Sequence, residues 1–173
     1  MRSLCSKARR SPRRDIIASS ILPDVTERPI LVCYDGSGDA RRALEAAAAL
    51  FAVRDVVVLD VAPLRVSQGY SPVPSDAPFV DESGATDALG RAETGAELAR
   101  KLGFDSVARS DTAIATWRGV TEVADEVDAS VIVVGSRGLS GLRELAHRSL
   151  SLDVARHARR PVLIVPPSVT RRD

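Results

Sequence analysis

Two glycine-punctuated stretches hold the residue types that could do chemistry in this chain. Asp35-Gly36-Ser37-Gly38 follows an apolar run, Ile30 to Tyr34. Gly135, Gly138 and Gly141 recur at three-residue spacing after Val131-Ile132-Val133-Val134. Four consecutive aliphatic residues that stop at glycine match a strand buried on both faces of a parallel sheet. A glycine loop between such a strand and a helix lets backbone N–H groups converge without a Cβ in the way. It also aims the positive end of the helix dipole into the same space. The chemistry implied is anion binding, most often of phosphate. Asp35 adds a carboxylate that can accept from a base or a ribose, or instead bond the backbone of its own turn.

Other candidates lead nowhere comparable. His147 and His157 lie ten residues apart on one expected helix, but no Cys, His or carboxylate completes a metal set around them. Ser136 and Ser140 lack a His/Asp partner in their sequence context, which argues against a hydrolase triad. Arg137, Arg143 and Arg148 make the glycine-loop region cationic, suiting an anion or simply a solvated helix face. A Walker A loop requires Gly-Lys-Ser/Thr, and the tract Gly135-Ser136-Arg137-Gly138-Leu139-Ser140-Gly141 has no lysine. A dinucleotide fingerprint requires G-x-G-x-x-G after the first strand, where this chain has DGSGDA.

The elements that must position these residues alternate regularly. Expected strands cover about 30–35, 56–62, 105–110, 130–135 and 161–165. Expected helices cover about 39–53, 84–102, 117–128 and 142–159, each with apolar residues on one face, such as Ala43, Leu44, Ala47, Leu50 and Phe51. Ser37 or Asp39 is the expected first N-cap, and Gly103 the C-cap of the second helix. Trp117 opens the third helix at the core's edge. Strict β-α alternation implies an α/β fold, an open doubly wound five-stranded parallel sheet with helices on both faces. The first and fourth strands then end side by side at the switch point, where ligands bind in such sheets. Residues 63–83 read as a loop, too polar and proline-punctuated for a regular element; lid and disordered insertion both fit it.

Composition bounds the rest. A chain of 173 residues supports one domain with a real core. The net charge of +1 conceals a basic block, Arg2, Lys7, Arg9, Arg10, Arg13 and Arg14. Residues 1–28 therefore read as a basic, disordered leader, 29–166 as the domain and 167–173 as a tail. With only 3% aromatic residues, stacking on nucleic acid is disfavoured. Cys5 and Cys33 are too few for a disulfide framework and point to a reducing compartment. No apolar stretch approaches the ~20 residues of a membrane span. The expected location is cytoplasmic.

VIVVGSRGLSGLRELAHRSLSLDVARHARRPVLIV resembles the carboxyl half of the universal stress protein family, and ILVCYDGSGDARRALEAAAAL its first strand, turn and helix. The resemblance covers about residues 29–166 and implies a Rossmann-like fold that binds an adenine nucleotide, ATP with Mg2+. It places Asp35 beside adenine and ribose, and Val61 against the base. Val134, Gly135 and Gly138 would line the ribose-phosphate path, with Leu150 in the same shell. Ser149 and Ser151 would donate to the phosphates. It also implies a homodimer paired through Pro161–Val165. One departure stands out: the family pattern G-x2-G-x9-G-[ST] has glycine where this chain has Arg148. A residue forced into a left-handed conformation there costs about 1–2 kcal/mol, whereas a guanidinium could itself bind phosphate.

The expected function is accordingly a small stress-adaptation module that holds an adenine nucleotide and acts through dimer or partner contacts. No general acid, base or nucleophile is assembled, so the chain is not read as an enzyme. Three alternatives stay open: an interaction module whose phosphate site Arg148 has altered, a weak ATP-hydrolysing or nucleotide-transferring enzyme, and nucleic-acid contact through the arginine leader.

Overall fold

Ile30, Leu31 and Val32 are fully buried, which only a strand covered on both faces allows. In the computed structural model they form β1 (Ile30–Cys33), the centre of a five-stranded parallel sheet. The structure describes residues 28–52, 54–64, 66–67, 79–80, 83–136 and 150–167. Along the chain, β1 leads to α1 (Gly38–Leu50), β2 (Asp55–Pro63), β3 (Val66–Ser67), β4 (Phe79–Val80) and α2 (Ser83–Lys101). Then come β5 (Asp105–Ala113), α3 (Thr116–Glu126), β6 (Val131–Gly135), α4 (Leu150–His157) and β7 (Val162–Val165). The sheet order β5-β2-β1-β6-β7 is the doubly wound arrangement expected from the alternation.

Alternate residues of each central strand feed two cores. Ile30, Val32, Tyr34, Val56, Val58, Val131 and Val133 pack with Ala40, Ala43, Leu44 and Ala47 of α1 and Ala96 and Ala99 of α2. Leu31, Cys33, Val57, Leu59, Val61, Ile132 and Val134 face Val120, Val123 and Ala124 of α3 and Val154 of α4. Alanine stripes let α1 and α2 lie close to the sheet. The chain thus builds tight packing from small residues rather than from aromatics.

Local signals set the helix ends. Ser37 caps α1, its hydroxyl accepting from the Ala40 N–H at 3.1 Å. α2 closes through Gly103 N–H to Arg100 C=O and Phe104 N–H to Ala99 C=O, the paired bonds of a Schellman motif. α3 closes the same way, Asp128 N–H to Asp125 C=O and Ala129 N–H to Ala124 C=O. There the left-handed position is held by Asp128, at φ 50°, not by glycine. Arg28 and Arg160 both pair with the Asp128 carboxylate, and Arg160 also reaches Asp125 and the Ala129 carbonyl.

Three differences from the sequence expectation are informative. β5 runs to Ala113, beyond the expected 110, because it pairs with β2 residue for residue from Asp55↔Asp105 to Pro63↔Ala113. The 63–83 segment carries a regular element after all, the antiparallel pair Val66↔Val80 and Ser67↔Phe79. Two residues of backbone pairing need no apolar periodicity, so composition gave no sign of it. Of the expected 142–159 helix, the described part is Leu150–His157; the expected first half lies outside the described residues.

Candidate functional site at the carboxyl edge of the sheet

β1 lies between β2 and β6, so three strand ends share one edge. Cys33 is opposite Leu59, and the Tyr34 N–H donates to the Leu59 carbonyl at 2.8 Å. Val32 is opposite Val133. Continuing both registers, Asp35 comes level with Val61 on one side and with Ser136 on the other. The carboxylate and the glycine-loop strand therefore meet at the switch point, as the strand order β5-β2-β1-β6-β7 places them.

The turn after β1 is built from Asp35, Gly36 and Ser37. An Asp35 carboxylate oxygen accepts the Ser37 N–H at 2.9 Å, so this side chain bonds its own turn. Gly36 takes φ 80°, a region that L side chains rarely adopt. Ser37 then starts α1, whose amino end faces the same edge. Asp39 in its first turn pairs with Arg42.

Gly135 has a steric duty. A Cβ there would lie 2.8 Å from the Asp39 carbonyl oxygen and 2.9 Å from its carbon. The glycine thus admits the first turn of α1 against the end of β6. The next residue, Ser136, donates its N–H to Val165 C=O at 2.8 Å. Its Oγ is buried without a hydrogen-bond partner among the described residues, as is Arg42 Nε. A buried hydroxyl left unpaired in a native protein calls for an explanation, such as a ligand or an ordered water.

The other sequence-derived candidates fall as follows. Val61 is 3% exposed and its side chain packs under α3, where a Cβ on Gly119 would meet Val61 Cγ1 at 2.8 Å. Val134 is in the core facing α3 and α4, Leu150 packs partly buried against it, and Ser151 is buried in the first turn of α4. Gly138, Arg148 and Ser149 lie outside the described residues, as do Arg137, Ser140, Arg143 and His147. His157 stacks on Trp117, ring centroids 4.0 Å apart. Among the described residues no three His, Cys, Asp or Glu side chains group to hold a metal.

The sequence reading missed one feature, an ion pair between a buried carboxylate and a partly exposed arginine. The Asp60 carboxylate, 1% exposed on β2, accepts from Arg91 Nε of α2 at 2.6 Å. Burial pushes its carboxyl above the usual carboxylate range, Arg91 opposes this, nearby Asp35 adds to it, and the Val61 backbone hydrogen bond opposes it. The Cys33 thiol is pushed up strongly by burial, then by Asp60 and Asp35. That makes it a poor nucleophile.

Comparison with known proteins agrees with this architecture. A family model described as the universal stress protein family matches residues 27–166. A curated relative, "Universal stress protein in QAH/OAS sulfhydrylase 3'region" of Thermus aquaticus, is 32% identical over 143 residues, covering 80% of this chain and 98% of the relative. The solved universal stress protein from Archaeoglobus fulgidus is 25% identical with a TM-score of 0.57, covering 80% of this chain and 98% of its own. A universal stress protein solved in complex with cAMP is 25% identical with a TM-score of 0.54, covering 83% and 99%. No helix among the described residues is long and apolar enough to cross a membrane. With the family model spanning nearly the whole domain and a curated relative above 30% identity, this chain belongs to the universal stress protein family.

Proposed function

We propose that this protein holds an adenine nucleotide where β1, β2 and β6 end, and serves as a small regulatory module in stress adaptation rather than as a turnover catalyst. The observation that carries the reading is the juxtaposition at the switch point: Asp35 level with Val61 and Ser136, beside the amino end of α1. Asp35 accepts from the ribose or base, and the backbone at Val61 borders the base. Val134 and Gly135 lead to Ser136, whose hydroxyl has no hydrogen-bond partner among the described residues and would meet the sugar or phosphate. Gly138, Arg148, Ser149, Leu150 and Ser151 would enclose the phosphates. The family relative solved with cAMP supports an adenine nucleotide as the ligand class. ATP with Mg2+ is the narrower form of the same proposal, its metal held by phosphate oxygens.

The module acts as a homodimer through Pro161–Val165. β7 is an edge strand made only of Val162, Leu163, Ile164 and Val165, all partly or well exposed. The opposite edge, β5, carries Asp105, Arg109 and Asp111, charges of the kind that keep edges apart. Light scattering should then give a dimer, and Ile164→Lys a monomer.

Calorimetric titration of the full chain with AMP, cAMP and ATP tests nucleotide binding. Saturable heat, weakened by Asp35→Ala, is expected. Absence of heat at millimolar nucleotide would overturn it. Recovery of binding in Arg148→Gly would then assign the protein to the interaction-module alternative, with its phosphate site altered by that arginine.

A further inference from the structure

Stability alone is a weak reason to bury a carboxylate against a partly exposed arginine, because well-packed apolar residues commonly stabilise as much or more. The pair of Asp60 and Arg91 has another property, which is where it touches. Asp60 is followed directly by Val61, whose side chain packs toward α3. Arg91 reaches across from α2, and its stem lies on the turn after β1. A Cβ at Gly36 would sit 3.5 Å from Arg91 Cδ and 3.8 Å from Cγ. The Asp60 carboxylate is thereby tied to the Asp35-Gly36-Ser37 turn through the arginine, and to Val61 through the chain itself.

We propose that Asp60 and Arg91 are positioning residues that lock the Asp35-Gly36-Ser37 turn against the end of β2, and so set the affinity of the edge for its nucleotide. The affinity part rests on the reading of that edge as a nucleotide site; the locking of the turn does not. Neither side chain need touch the ligand. Removing either leaves Gly36 without the stem that covers it, or leaves that stem without an anchor.

The arrangement also makes the lock sensitive to pH. The charged groups that act on the Asp60 carboxylate are Arg91 from α2 and Asp35 from the turn after β1; the Cys33 thiol is on the opposite face of the sheet. On β5 the residue opposite Asp60 is Ser110. A protonated Asp60 no longer attracts Arg91 as a charge. Because burial raises this carboxyl, acidification releases the lock before ordinary carboxylates are neutralised.

The test follows the Ser37 and Val61 amides of the full chain by NMR from neutral to mildly acidic pH, in wild type, Asp60→Asn, Arg91→Met and Arg91→Lys, with AMP titrated into each. Thermal melts establish that every variant is folded. The wild-type Ser37 amide should share the Asp60 titration step seen at Val61; Asp60→Asn should abolish that step at both amides, and Arg91→Met should abolish it at Ser37 alone, with Arg91→Lys intermediate. AMP affinity should fall about tenfold in Asp60→Asn and Arg91→Met, the scale of one charge-assisted hydrogen bond, and Asp60→Asn should also flatten its pH profile. A Ser37 resonance and titration unchanged in Asp60→Asn would overturn the lock. Wild-type affinity and pH profile in that variant would overturn its effect on binding. If wild type binds no AMP, the nucleotide reading fails, while the amide titration still decides whether the lock exists.

Discussion

Replacing Gly135 with alanine tests whether the glycine at the end of β6 is required by its neighbour rather than by the strand. The new methyl would meet the Asp39 carbonyl oxygen at 2.8 Å and its carbonyl carbon at 2.9 Å. Both are backbone atoms, so no flexible side chain can swing away. α1 is in turn fixed by Ala43, Leu44 and Ala47 in the core, and its first turn cannot retreat without disturbing that packing. Overpacking of this kind costs about 1–3 kcal/mol, offset by about 0.5–1 kcal/mol from the reduced chain entropy of alanine. A net loss of about 1–2 kcal/mol corresponds to a melting temperature lower by roughly 2–8 °C for a chain of this size. Gly90→Ala is the matched control. It is in α2 with nothing among the described residues within 4 Å of its Cβ position, so it should gain about 0.5–1 kcal/mol from helix propensity. Urea unfolding followed by the fluorescence of Trp117, the only tryptophan, measures both. A Gly135→Ala protein as stable as its parent would refute the steric argument, and so would a destabilised Gly90→Ala.

Asp128 occupies a left-handed position with two arginine partners. Asp128→Gly should therefore be more stable than Asp128→Ala by about 1 kcal/mol, the penalty of a side chain in that conformation; equal denaturation midpoints would contradict it. Cys33 should be alkylated only as fast as the protein unfolds, read by peptide mass spectrometry to separate it from Cys5, and rapid native labelling would show the strand end open. The raised carboxyl of Asp60 means the folded state binds its proton more readily than the unfolded state. Its contribution to stability therefore falls as pH rises from the ordinary carboxylate range through the raised value. The stability of wild type relative to Asp60→Asn should increase on acidification across that window, and a parallel pair of pH–stability curves would refute this.

Much of the fold was legible because apolar periodicity is a local property. The run VIVVG declared a strand buried on both faces, and β6 is one. The Ala43, Leu44, Ala47, Leu50 and Phe51 spacing declared the inner face of α1; the first three are buried there and Phe51 packs partly buried against them, whereas Leu50, at the end of the helix, is 64% exposed. The meeting of Asp35 with the glycine-loop strand also followed, since the Rossmann-like order expected for the sheet makes its first and fourth strands neighbours, as β1 and β6 are. What stayed hidden depends on partners distant in sequence. A carboxylate inside VVVLDVA signals that something must pair with it, but nothing local names Arg91, thirty-one residues away. Gly135 was readable as a loop glycine, whereas its contact with Asp39 arises only once α1 packs on β6. Likewise β5 is extended by its pairing with β2, although residues 111–113 carry little strand character of their own.

Native mass spectrometry of the gently purified full chain addresses the central claim most directly. The account predicts one adenylate per chain, either retained from the cell or taken up on incubation with AMP, and lost in Asp35→Ala. A chain that elutes bare and remains bare in millimolar AMP would contradict it.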